Sequence, residues 1–122
     1  KLTFIDKILF NSGSTRINEK GKEILLSFAE SIQEDRNHNI LVEGHTDNVG
    51  VGQALKSKFP SNWELSTSRS STVVRFLQEK GGIEPERLSA IGYSYFKPVA
   101  SNDDEEGRSQ NRRIEIILTR TK

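Results

Sequence analysis

The sequence predicts an α/β (α+β) two-layer sandwich, a small mixed four-stranded sheet with helices on one face, in the order β-α-β-α-β-β. Three observations predict it. Two long stretches carry apolar residues at helical spacing, four stretches are rich in strand-forming residues, and the two kinds alternate along the chain. At 122 residues the chain fits one domain, residues 1–122, around one core.

Leu2 to Phe10 reads as the first strand, with Phe4, Ile8 and Phe10 on one face. Asn11-Ser12-Gly13-Ser14 breaks it. Apolar residues then recur at Ile17, Ile24, Leu25, Phe28, Ala29 and Ile32, one face of a helix for which Asn18 is the natural N-cap. After a polar turn at Asp35–Asn39, Ile40 to His45 suits a buried strand ending at Thr46-Asp47. Val49 to Pro60 is a loop. Ser61-Asn62-Trp63-Glu64 matches a capping box, so a second helix starts there and runs to Lys80, where Gly81-Gly82 stops it. Leu88 to Tyr93 is a third strand, Lys97 to Gly107 an acidic loop, and Arg113 to Arg120 the last strand, expected to lie beside the first. Several crossovers are long enough for parallel pairing.

Composition narrows the function. With 18 basic and 17 acidic residues and a net charge of +1, the chain lacks the basic excess of a nucleic-acid or anionic-membrane surface. It has no cysteine, so disulfides and thiolate metal sites are ruled out. No apolar run of about 18 residues marks a membrane span. The chain starts at Lys1 and has no methionine, and so reads as a piece of a longer protein.

Arg69 is the most informative residue. It lies four positions after Leu65 and four before Val73, on the apolar stripe of the second helix, and is expected to point inward. A buried guanidinium is costly without a partner; equally, it can snorkel to the edge or pair with Glu64. Asp47 follows the second strand, where α/β sheets place ligand sites. Its plain reading is a turn residue capping the loop beside Asn48 and Gly50. A carboxylate and a guanidinium held a few ångströms apart can bind a zwitterion, ammonium on Asp47 and carboxylate on Arg69. Arg112 and Arg113 should split between the two sheet faces, one supporting the site and the other solvated. Asp103 to Glu106 reads as a solvated loop without calcium-loop spacing.

Catalytic readings are poorer. Glu43, His45 and Asp47 alternate and invite a metal, but three mixed ligands without a second nearby histidine make a weak set. His45 has no serine in a nucleophile elbow to serve. Gly50-Val51-Gly52 is only a fragment of a dinucleotide fingerprint.

Gly44-His45-Thr46-Asp47-Asn48-x-Gly50, Asn62-x-x-Leu65-Ser66-x-x-Arg69 and Gly107-Arg108-x-x-Asn111-Arg112-Arg113-Ile114-Glu115 resemble, in that order, the OmpA C-terminal-like family. The likeness runs from Ile5 to Leu118. It implies a non-catalytic domain that binds peptidoglycan through the diamino acid of the stem peptide, diaminopimelate or another, and anchors a membrane protein to the cell wall. The family's key Asp and Arg fall on Asp47 and Arg69, and the first Arg of its Asn-Arg-Arg motif on Arg112. Thr46 and Asn62 match positions near the ligand, and the Gly13-Ser14 turn should border the pocket. No cofactor or metal is implied. The resemblance places the chain in the periplasm, as part of a bacterial envelope protein, and leaves room for a homodimer. The long Val51–Ser61 stretch departs from many members. With Phe59-Pro60-Ser61-Asn62-Trp63-Glu64-Leu65-Ser66 and Val73-Val74-Arg75-Phe76-Leu77 it looks most like the MotB-type, flagellar stator branch; porin and lipoprotein parents stay open.

Overall fold

A computed structural model describes residues 1–11, 13–52 and 56–121. Along the chain come β1 (Leu2–Ile5), α1 (Asp6–Leu9), α2 (Glu19–Ile32), β2 (His38–His45), α3 (Asn62–Glu79), a 3-10 turn (Pro85–Arg87), β3 (Leu88–Gly92), α4 (Glu105–Asn111) and β4 (Arg113–Arg120). Residues 53–55, part of the loop expected over Val49–Pro60, and Ser12, in the first turn, lie outside the described residues.

The sheet is mixed and four-stranded, in the order β1-β4-β2-β3. β2 and β3 are parallel, joined by the crossover through α3, and β4 runs antiparallel between β1 and β2. The last strand thus lies beside the first. One sheet face builds the core: Ile40 and Val42 of β2 and Ile114 and Ile116 of β4 meet Leu25, Phe28, Ala29 and Ile32 of α2 and Val73 and Leu77 of α3. The opposite face pairs Glu43 with Glu115 and His45 with Arg113.

The helix ends follow their local chemistry. Asn18 accepts a hydrogen bond from the Gly21 N–H at 2.6 Å and caps α2. At the start of α3, Ser61 Oγ accepts from the Trp63 N–H at 3.1 Å and donates to the Glu64 carboxylate, a variant of the expected box. At its end Lys80 and Gly81 donate to the Phe76 carbonyl, and Gly82 turns the chain away at φ +71°.

Two glycines bring α3 down on the sheet. Gly44 and Gly92 are register partners on β2 and β3. A Cβ on Gly44 would sit 2.2 Å from the Ser66 carbonyl oxygen, and one on Gly92 2.4 Å from the Thr67 methyl. Without side chains at these two places, the first turns of α3 rest against the carboxyl ends of the parallel strands.

Three expectations need correction. Leu2–Phe10 is not one strand: after Ile5 pairs with Arg113, the Asp6 N–H donates to the Arg112 carbonyl and the chain makes one helical turn. That turn leaves Ile8 exposed and buries Leu9 and Phe10. The acidic loop is not wholly irregular, because Asp104 accepts from the Gly107 N–H at 2.8 Å and caps α4, with Glu105 and Glu106 in its first turn. Arg113 is not solvated; it is buried against Glu115 and also donates to the Asn111 and Lys97 carbonyls.

Candidate ligand-binding cleft

The loop after β2, the start of α3, the α1 turn and the α4–β4 junction converge on a cleft of about 550 Å³. Asp47, Thr46, Asn62, Arg69, Arg112 and Gly13 all line it. Ser14 takes part through its backbone, its carbonyl accepting from Arg69 Nε at 3.2 Å and Nη2 at 3.0 Å. The structure therefore gathers residues spread over about a hundred positions, at the carboxyl end of a strand, where such a fold places ligands.

Arg69 points inward, as its stripe position requires, and is 6% exposed. Its partner is neither Glu64 nor Asp47. Nη1 donates to Asp6 Oδ2 at 3.1 Å, and the guanidinium lies 5.1 Å above the Phe10 ring. Burial lowers its pKa, opposed first by the Asp6 charge. A guanidinium has five N–H donors; three hydrogen bonds are formed here, leaving two donors without a partner among the described residues.

Asp47 is also buried, with its two carboxylate oxygens engaged separately. Oδ1 accepts from the Val49 N–H at 3.0 Å, the turn-capping role, while Oδ2 accepts from Arg112 Nη1 at 2.5 Å. Asp47 and Arg69 do not bond each other directly; they belong to two adjoining pairs, Asp47–Arg112 and Arg69–Asp6. Arg112 also reaches Glu105 Oε2 at 2.5 Å. Its pKa rises, first through Glu105 and then through Asp47, and that of Glu105 falls through the same contact.

Thr46 and Asn62 position the loop. Thr46 Oγ1 donates to the Asp47 carbonyl at 2.8 Å, and its N–H donates to the Ser94 carbonyl. Asn62 Nδ2 donates to the Val49 carbonyl at 3.0 Å and the Asp47 carbonyl at 3.4 Å. Asp6 and Glu105 escaped the sequence reading. The first interrupts an apolar run, and the second follows a helix N-cap; both signals are present in the sequence.

Glu43 and His45 leave the cleft altogether. With Glu115, on the sheet face opposite the two long helices, they offer ligand atoms within 4.8 Å of one another. Lys1 lies 3.2 Å from Glu115 and Arg113 is bonded to it, so two cations already neutralise this group. His45 Nε2 meets Glu43 at 3.1 Å, its ring stacks on Tyr93, and Nδ1 is buried without a partner. Burial lowers the His45 pKa. Asp47 belongs to a different site, which removes the metal triad the alternation suggested.

Residues 9–112 match the OmpA family. The chain belongs to that family. Motility protein B of Bacillus subtilis is 36% identical over 117 residues, covering 96% of this chain and 44% of that protein. A putative MotB-like protein from Desulfovibrio vulgaris superimposes with a TM-score of 0.88 at 32% identity, over 98% of this chain and 72% of that one. The cell wall anchor of the T6SS from Pseudomonas aeruginosa gives 0.85 at 33%, over 98% and 80%. The α+β fold is therefore that of these solved structures, and the MotB-type likeness has its counterpart among the relatives. The chain spans about half the length of the curated relatives it matches. No helix among the described residues is long and apolar enough to cross a membrane.

Proposed function

We propose that this OmpA-family domain binds peptidoglycan without cleaving it, taking a free amino-acid end of the stem peptide into the cleft and anchoring an envelope protein to the wall. The observation that carries the reading is the clustering of Asp47, Arg69 and Arg112 in one cleft. A zwitterionic end puts its ammonium on Asp47 and its carboxylate on the two unused donors of Arg69. Arg112 then shifts its weight to Glu105, which already holds its other nitrogen. Charge-assisted contacts of this kind are the strong ones, and the two ready-made ion pairs keep the free cleft from holding uncompensated charge. The similarity to a cell wall anchor supports the same reading and favours a periplasmic location.

The similarity to motility protein B favours a stator subunit as the parent over a porin or lipoprotein. A purely structural role for the ion pairs is the competing reading. Co-sedimentation with purified sacculi, with free diaminopimelate or lysine as competitor, tests the proposal. Saturable binding that competitor displaces is expected. Absence of binding to the wall overturns it.

A further inference from the structure

We propose that Trp63, Tyr95 and Phe96 form a second subsite that stacks against the amino-sugar rings of the glycan strand; this rests on the wall-binding reading above. The three rings are partly exposed (48%, 38% and 54%) and contiguous. Trp63 stacks on Phe96 at 5.4 Å between centroids, and Phe96 on Tyr95 at 4.3 Å. Single exposed aromatics need no explanation, but a cluster of three marks a binding surface.

The backbone under the shelf is held in an uncommon conformation. Ser94 is the one described non-glycine residue with positive φ, at 56°. Its N–H donates to Ser66 Oγ at 3.0 Å, and its carbonyl accepts from the Thr46 N–H at 2.8 Å. Strain of this kind persists only where the surroundings enforce it, and it clusters at functional sites. Here it fixes the turn that projects Tyr95 and Phe96. The same Thr46 bond ties that turn to the loop carrying Asp47.

The shelf adjoins the cleft. Gly50, Val51 and Asn62 line both the cleft and the groove along the shelf. Asn62 and Trp63 are consecutive at the start of α3, Asn62 lining both sites and Trp63 the groove. Stem peptides hang from amino sugars, and two or three extended residues reach about 7–10 Å. A polymer whose peptide end sits on Asp47 and Arg69 therefore presents its sugars toward the adjoining groove, which shares Gly50, Val51 and Asn62 with the cleft.

The chemistry fits a saccharide better than a protein. A pyranose ring offers a face of polarised C–H groups to the negative face of an aromatic ring. Its hydroxyl and acetamido edges need polar partners, and Asn48 and Lys56 border the groove. Aromatic side chains bury about 150–250 Å² each, so three half-exposed rings offer roughly 300 Å². That falls well short of the ~800 Å² per partner in a stable protein interface.

Trp63 is the sole tryptophan, so its emission reports directly on the shelf. Titration with the N-acetylglucosamine tetramer, which carries no peptide, should give a saturable change. Phe96→Ala should weaken binding to intact sacculi about three- to tenfold, leaving affinity for a free stem tripeptide unchanged. Trp63→Phe should retain sacculus binding, because a ring is kept. Unaltered emission with the tetramer, or sacculus binding by F96A equal to wild type, overturns the subsite while the peptide cleft stands. Loss of self-association in F96A with sugar binding intact assigns the shelf to a protein contact and also overturns it. If wild type fails to bind sacculi at all, the wall-binding reading itself falls.

Discussion

Replacing Asp47 by asparagine isolates the charge at the centre of the cleft. The amide keeps an oxygen for the Val49 N–H, so the turn survives. Arg112 loses one partner but keeps Glu105, and its side chain is 28% exposed. The fold should therefore lose less than about 1 kcal/mol, as for a partly solvated ion pair. Ligand binding should suffer more. Losing a charge-assisted contact to an ammonium costs roughly 1.5–3 kcal/mol, about ten- to a hundredfold in affinity. Urea unfolding and titration with a stem tripeptide separate the two effects. An Asp47→Asn protein that binds as wild type, or one that unfolds readily with affinity intact, refutes the reasoning and makes Asp47–Arg112 a structural bridge.

Other perturbations probe the supporting structure. Asp6→Ala leaves the Arg69 guanidinium buried with one ionic partner fewer; it should cost about 3 kcal/mol of stability, read by urea unfolding, and weaken tripeptide binding as well. Gly44→Ala forces a Cβ against the Ser66 carbonyl and should cost about 1–3 kcal/mol, with the melting temperature falling accordingly. The His45 pKa is lowered from its ordinary 6.5, chiefly by burial, in a site it shares with Glu43, Glu115 and Arg113. The unfolded chain then binds that proton more readily than the folded one. Stability from this group is full above about pH 6.5, declines as pH falls below it, and levels off below the lower folded value. A thermal melt series from pH 8 to pH 5 should show that decline, and His45→Gln should flatten it.

How far the sequence reveals this molecule depends on the range of the interactions involved. The two long helices and β4 were legible because their signals are local: the Asn18 cap, the Ser61 cap, the Gly81-Gly82 stop and the apolar spacing. The helical turn at Asp6–Leu9 was not, since Phe4, Ile8 and Phe10 alternate like a strand. The pairing ends at Ile5, after which the Asp6 N–H donates to the Arg112 carbonyl, a tertiary bond to a residue far along the chain. The inward pose of Arg69 was legible from its stripe position, which required a partner for the guanidinium, whereas Thr46, Asn62, Arg112 and the Gly13-Ser14 turn were legible only through the family resemblance. Which partner Arg69 takes was not legible, because Asp6 lies 63 positions away and Arg112 lies 65 positions from Asp47. A buried charge announces its need for a counter-charge; only the topology chooses among the candidates. The same limit hid Arg113, whose burial follows from Glu115 two residues on and from the Lys97 carbonyl.

A cleft that anchors the domain to the wall through a zwitterionic peptide end must read both of its charges. Calorimetric titration with a stem tripeptide bearing a free ammonium and carboxylate, beside its N-acetylated and its carboxamide forms, measures this directly. Saturable binding of the free form is expected, with a loss of about tenfold or more when either charge is blocked. Equal affinity for all three forms would contradict this mode of wall binding.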